Sequence, residues 1–552
     1  MNFKQWIGGL ALAVTTTHSY ATTYDIEELP VSALSASQFG SSIDNTGLIL
    51  STLINPFNQP INADLFDVND FPVLVDPNSA AAGDFNILDF TIVLGSWREN
   101  ATNFSSIGPK LATTLAYQTD GVDTNYVFGF DQMLDATNGF TFAMNTTPVA
   151  SSGGLYIIGN SPTFYSSFAF TDANGLEQTA VINEAVTRGF VQFSDRVFPL
   201  TPVDDTLGGI SVASDINDNL QVAGTSSVDV LQIVQDALAS CNEEIIAIPQ
   251  ALCLYNLTTD ARVQSGFVQR ATIWQLDARG QVVGTETFGL DFVPAPNDQN
   301  NYVNSAVAIN NSGLAIGNGT TLLSDSRAVN AAMLYENGQT IRLIDDDSVL
   351  PNFAVDINED DVVAGYQAVV ENNASVARFF TFNVNTNELN FPVGFFASSS
   401  TFPRAINNDG VVVGDAEVNA DQQGLRPRAG FVYNPDTDLL LNLNDLIPCD
   451  AEYNVFAAND INDDGVIVAD ASVLRSARNA RGEIVLDANG NEVIETAVVA
   501  VRLTPNGGDI PDCSATEVED GLSDERQGAS NSLVLLFILS FIGILRRNKP
   551  AI

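Results

Sequence analysis

The chain has 552 residues, with 22 Lys and Arg against 67 Asp and Glu, and a formal net charge of −45 on a composition that is 45% hydrophobic and only 16% charged. Disordered acidic segments lack that much apolar material, and nucleic-acid binding needs a basic footprint that so few cations among so many acids do not supply; both classes are excluded. The length allows three or four domains, or one large all-β domain.

At the N-terminus, Lys4 is followed by the apolar stretch Trp6 to Val14 and by small residues at Ser19 and Ala21. This is the pattern of a cleaved secretory signal over residues 1–21, the competing reading being a buried N-terminal strand or helix. The one histidine, His18, lies inside it, so the mature chain lacks Ser-His-Asp and Cys-His nucleophile systems, His-ligated zinc and the usual neutral-pH acid–base group. Lys110 is the one exported lysine and has no Ser at S-x-x-K spacing; neither G-x-S-x-G nor G-x-x-x-x-G-K occurs. Carboxylates, Tyr, Ser and Arg remain for catalysis, a set that suits glycosidase-like or lyase-like chemistry.

Residues 50–150 are strand-like and Asn/Thr-rich but poorly periodic. One phrase nevertheless recurs along the chain: Ile43-Asp44-Asn45-Thr46-Gly47, Ile216-Asn217-Asp218-Asn219-Leu220, Ile309-Asn310-Asn311-Ser312-Gly313, Ile357-Asn358-Glu359-Asp360-Asp361, Ile406-Asn407-Asn408-Asp409-Gly410 and Ile461-Asn462-Asp463-Asp464-Gly465. Most copies continue into a Val/Ile/Ala run ending in Gly, and Gly154 to Gly159 is a degenerate copy. Spacings of 48, 49 and 55 residues set the period, while the interval of 93 between Ile216 and Ile309 suggests a displaced copy, for which Gly280 to Gly284 is the candidate remnant. Each phrase reads as strand, tight turn, strand: Ile enters a core, Asn and Asp tolerate turn geometry, and Gly takes a positive φ. A second hairpin follows, with strands at Phe190–Phe193, Ile273-Trp274, Met333–Tyr335, Phe380–Phe382 and Phe431–Tyr433. Two hairpins per repeat make a four-stranded blade, which predicts an all-β propeller of about seven blades; two packed β domains divided near residue 210 are the alternative.

Ser227 to Cys241 carries apolar residues at helical spacing, so a helical insertion is expected over 227–256. Four cysteines in an exported chain favour two disulfides; of the three possible pairings, proximity favours Cys241 with Cys253 and Cys449 with Cys513. Asp460, Asn462 and Asp464 match the opening of a calcium loop, but Ala471 stands where the bidentate Glu belongs, and a metal-free Asn/Asp/Gly turn is the competing reading. No other cofactor is implied. Arg188, Arg270, Arg378 and Arg428 precede the aromatic strands. They would either form a ring for an anionic ligand or pair with acids of a neighbouring blade.

Residues 506–530 read as a flexible acidic stalk. Leu533 to Leu545 is apolar apart from Ser540 and Gly543, and Arg546, Arg547 and Lys549 follow. Its thirteen residues fall short of the ~20 of a bilayer span, although the uncharged residues Ala529 to Ser532 extend them. The cations predict a hydrophobic anchor or sorting helix over 531–547, with 548–552 on the cytoplasmic side. The exported part keeps 18 Lys and Arg against 67 acids, a net −49 that disfavours contact with anionic lipid except through this helix.

The tail resembles bacterial GlyGly-CTERM sorting signals, with Gly528-Ala529-Ser530 in place of the Gly pair. That resemblance implies a processing site at Gly528 and Ala529, a rhomboid-like sorting protease as a partner, and either inner-membrane anchoring with a periplasmic domain or release to the cell surface. The Ile-Asn turns, the Val-Val-Gly runs and the aromatic strands resemble extracellular HAF repeats over roughly residues 40–505, and the whole chain resembles the DUF3466 group of secreted proteobacterial proteins. The group brings no activity to transfer. Repetition without a unique reactive constellation favours a non-catalytic binding or scaffold protein for an extracellular ligand or protein; a carboxylate-dependent hydrolase or lyase on an extracellular polymer and a calcium-dependent surface assembly protein are the alternatives.

Overall fold

The computed structural model describes residues 23–511 and Cys513, except 31–33, 136–138, 173, 242–247, 297, 299, 372–373 and 421–424. The chain forms a seven-bladed β-propeller, each blade a four-stranded antiparallel sheet. Strands are lettered A to D from the axis outward. Blade 1 comprises Ser35–Ile43, Ile49–Pro56, Thr114–Thr119 and Thr124–Val127. Blade 2 comprises Thr147–Ser152, Tyr156–Ser161, Arg188–Phe193 and Arg196–Pro199. Blade 3 is Ser211–Ile216, Gln221–Val230, Phe267–Leu276 and Val282–Thr287, and blade 4 is Asn304–Ile309, Ala315–Leu322, Ala328–Glu336 and Gln339–Arg342. Blade 5 is Asn352–Ile357, Val362–Glu371, Ala374–Asn383 and Glu388–Asn390, and blade 6 is Thr401–Ile406, Val412–Glu417, Arg428–Asn434 and Leu439–Asn442. Blade 7 takes strands A to C from Asn454–Ile461, Ile467–Ser476 and Ile494–Pro505, and its D strand, Tyr24–Glu28, from the N-terminus.

Each A strand touches the A strands of both neighbouring blades, from blade 1 round to blade 7 and back. The ring is closed through residue 210, which removes the division into two β domains. The 93-residue interval also has a different cause from a missing copy: it is one blade, lengthened between strands B and C, and Gly280 belongs to the C–D turn of blade 3.

Two features of the repeated phrase have direct packing reasons. Its Ile residues are buried between blades. Its closing glycine faces a bulge in strand A: an added Cβ at Gly224, Gly317, Gly365 or Gly414 would overlap the carbonyl oxygen of Val212, Ser305, Phe353 or Phe402. Blade 7, whose A strand carries two register shifts, accepts Ala469 at the same place.

Insertions leave the B–C connections of blades 1, 2, 3 and 7. The helix Ile87–Thr102 lies in the first of them and corrects the strand-like expectation for 50–150. Asn86 caps it by accepting from the Leu88 and Asp89 amides, and Phe90, Val93, Leu94, Trp97 and Ala101 form its buried face. The blade 3 insertion carries the helices Gln232–Cys241, Gln250–Thr259 and Ala261–Gln264; it starts later than the expected 227–256, because Ser227 to Val230 still pair in strand B, and it runs on past residue 256. The insertions touch one another: the Tyr255 hydroxyl donates to Phe104 O at 2.7 Å, and Arg481 lies over the Phe90 ring. Lys110, 5% exposed, donates to the Asn100 and Ser106 carbonyls beside the Tyr165 ring, and burial lowers its pKa to about 8.

Candidate functional site

Two places stand out as candidate sites: the axis, and a cleft between blades 6 and 7. The bulge in strand A falls two residues before the Ile of the phrase. The position between them is Asp215, Asp356 and Asp460 in blades 3, 5 and 7, and Ser42, Ala308 and Ala405 in blades 1, 4 and 6. Inner strands are covered by a blade on either side, so the partial exposure of the three aspartates opens onto the axis.

Each of these carboxylates accepts one amide from its own blade and one from the next. Asp215 takes Ile216 N at 2.7 Å and Ile309 N at 2.8 Å; Asp356 takes Ile357 N and Ile406 N, and Asp460 takes Ile461 N and Ile43 N, all at 2.8 Å. Three side chains thereby satisfy six otherwise unpaired main-chain donors. The alternation of Asp with Ala or Ser is therefore a pairing rule between blades. Blade 2, the seventh and unpaired member, has the degenerate phrase, and its Ser151 hydroxyl bonds Asp44 at 3.0 Å instead. Burial pushes Asp215 up to about 6 and Asp460 up to about 7; burial, then repulsion from Asp215, raises Asp356 well above the carboxylate range.

The asparagines of the phrase form a second network at the turns, a chain of bonds from blade 3 round to blade 1. Asn217 donates to Asn310 O, Asn310 to Asn358 O, Asn358 to Asn407 O, Asn407 to Asn462 O and Asn462 to Asp44 O, at 2.8–3.3 Å. Asp460 and Asn462 thus serve two different networks, and Asp464 is exposed in the turn. Among the described residues no group of three or more His, Cys, Asp and Glu is arranged to hold a metal ion.

The four predicted arginines do not pair with acids of a neighbouring blade. Arg188 donates to the Gly208 carbonyl and Arg270 to the Tyr302 carbonyl, both in the connections that lead to the next blade, and burial lowers both pKa values. Arg378 pairs with Glu371 at 2.9 Å and Arg428 with Asp415, each on its own sheet. The reason is position: each stands on strand C, within reach of strand B of its own sheet or of the loop that leads to the next blade. Arg404 was not singled out by sequence. It occupies the bulge of blade 6, binds Asp415 at 2.8 Å and reaches Asn459 of blade 7. Burial alone would raise Asp415, and the two guanidiniums outweigh it and hold it below the usual range.

The cleft encloses about 210 Å³ on the turn side of the ring, between blade 6 and the closed blade 7. Its walls come from Tyr24, Val432, Leu441, Leu446, Ile461 and Pro505, and Asp409 and Asp464 stand at its rim. Nearby, Cys449 and Cys513 form a disulfide that fastens the end of the described chain to the loop before blade 7; Cys241 and Cys253 join two helices of the blade 3 insertion. The signal at 1–21, the candidate processing site at Gly528 and Ala529, and the hydrophobic segment 531–547 lie outside the described residues. No helix among the described residues is long and apolar enough to cross a membrane.

A family model described as a protein of unknown function, DUF3466, matches residues 7–547. No curated protein matches the sequence. Among solved structures, the chain is similar to the β-propeller domain of the Trilobed protease from Pyrococcus furiosus, with 7% identity, a TM-score of 0.38, and coverage of 86% of this chain and 99% of that one. It is similar to the acylaminoacyl peptidase of Pyrococcus horikoshii at 9% identity and a TM-score of 0.38, covering 83% of this chain and 51% of that one. The Dos1 propeller aligns at 7% identity and a TM-score of 0.36, over 88% of this chain and 95% of that one.

Proposed function

The chain belongs to the DUF3466 family, and we propose that it is an exported, non-catalytic binding or scaffold protein, held at the membrane or released according to the fate of its C-terminal segment. Two disulfides support an oxidising compartment, in keeping with the signal-like N-terminus. The observation that carries the reading is the engagement of the axial carboxylates. With histidine gone, acids are the main candidates for proton transfer, yet both oxygens of Asp215, Asp356 and Asp460 are bonded to main-chain amides that join the blades. A general acid or base must present its oxygen to substrate.

One observation favours the competing reading, a carboxylate-dependent hydrolase or lyase: a carboxyl with a pKa of about 7, such as Asp460, suits a general acid. Immobilised full-length protein exposed to a panel of extracellular polysaccharides and secreted proteins separates the two. Retention without new reducing ends, unsaturated products or cleaved peptides is expected. Product release that disappears in Asp460→Asn, at an unchanged melting temperature, would replace binding with catalysis.

A further inference from the structure

We propose that the cleft between blades 6 and 7 is a binding site for a short apolar chain bearing an ammonium group. This deepens the binding reading and rests on it. The cavity has room for about seven waters, the size of a small aliphatic ligand, and apolar side chains of two blades and the closing strand make up most of its wall, interrupted by Asn407, Asn434 and Asp463, whose carboxylate is held by Asn45 and Asn408. Val432, Leu446 and Ile461 are each under 10% exposed, so the walls are held by the core behind them.

Two polar features set the ligand's other end. Tyr24 lines the cleft while only 6% exposed, and its hydroxyl makes no hydrogen bond among the described residues. Burial pushes that hydroxyl up to about 12, so it stays protonated and available as donor or acceptor. At the rim, Asp409 and Asp464 are exposed, and neither forms an ion pair among the described residues. No Lys or Arg lines the cleft. A largely apolar wall below two free carboxylates, on a chain of net charge −45, selects a cation on an aliphatic stem and repels an anion on the same stem. Both a free alkylamine and a lysine side chain have this chemistry.

The site also spans the ring closure. Tyr24 opens the D strand of blade 7, Pro505 is its register partner on strand C, and Val432 and Leu441 belong to blade 6. Occupancy therefore ties blade 6 to the closure, and ligand binding is readable as thermal stabilisation.

The test compares hexylammonium, hexanol, hexanoate and Nα-acetyl-lysine methylamide by thermal shift on the full-length protein at low ionic strength. Hexylammonium is expected to raise the melting temperature with saturation, hexanol less, and hexanoate not at all. A larger effect of the lysine derivative identifies a peptide source, and a smaller one a free amine. Tyr24→Phe is expected to weaken the response about tenfold. The rim variant Asp409→Asn/Asp464→Asn, which leaves the walls intact, is expected to equalise hexylammonium and hexanol. No shift with any probe, or equal shifts with all of them in the wild type, would overturn the assignment and leave the binding reading to the retention experiment; product release there would overturn that reading whatever the cleft binds.

Discussion

Asn358 serves two blades with one amide. Its Oδ1 accepts from Asp360 N and Val362 N within its own turn, and its Nδ2 donates to Asn407 O of blade 6 at 3.0 Å, all at 4% exposure. Asn358→Ala leaves buried main-chain groups without partners, each costing about 1–3 kcal/mol, and is expected to lower unfolding free energy by about 2–4 kcal/mol in denaturant titration. The axial aspartates make a second prediction at this scale. A carboxyl whose pKa is higher in the folded than in the unfolded state holds its proton more tightly when folded; its contribution is complete below the unfolded value near 4 and is lost as pH rises through the folded value. With Asp215 raised to about 6, Asp460 to about 7 and Asp356 raised well above the carboxylate range, stability should fall as pH rises from about 4 through about 7. Measured in ~0.5 M salt, where repulsion among surface charges is screened, the denaturant midpoint should be higher at pH 5 than at pH 8. Asp356→Ala should flatten that slope, and a wild-type midpoint that rises with pH would contradict the placement of these groups. The Ile and Asn of each phrase were legible because their roles lie within one hairpin. The Asp before the Ile was misleading: in isolation it resembles a metal ligand, and its partner amide stands 94 residues away for Asp215 and 417 away for Asp460.

The hairpin is the element that sequence reveals best here, since turn chemistry, alternation and the closing glycine all act within about ten residues. Helix Ile87–Thr102 was hidden because Thr, Ile and Val at its positions carry β preference, and only packing of Phe90, Leu94 and Trp97 against Phe71 and Leu74 decides for helix. The closing strand Tyr24–Glu28 was equally hidden, because its partner Val501–Pro505 lies at the other end of the chain. The Cys449–Cys513 bridge reinforces this blade. It closes a loop with a sequence separation of 64, for which chain entropy gives about 4 kcal/mol. Replacing both cysteines by Ser is expected to lower global stability by up to that amount in denaturant titration. The Cys241–Cys253 bridge, with a separation of 12 and confined to the blade 3 insertion, should affect local exchange there more than the global midpoint. Equal effects of the two removals would contradict the assignment of the first bridge to ring closure.

For the whole molecule, the repeat period gave the blade number, while three properties needed the closed ring. Odd-numbered closure leaves blade 2 outside the axial Asp-to-Ile amide pairs, the arginines turn to their own sheets or to the loops that lead to the next blade, and the interblade cleft draws on segments near residues 24, 409, 432, 461 and 505. None of these is a local phrase, so neither the cleft nor Arg404 could be found by motif. The central claim is that the axial acids clasp one blade to the next and are not poised for chemistry. Hydrogen–deuterium exchange of the inner strands tests it most directly, in the wild type and in Asp215→Ala and Asp356→Ala. Protection should fall in Asn304–Ile309 for the first variant and in Thr401–Ile406 for the second, where the orphaned Ile amides lie, with Thr147–Ser152 of blade 2 unchanged in both. Undiminished protection of both downstream strands would contradict the clasp and return the three carboxylates to the list of groups available for catalysis.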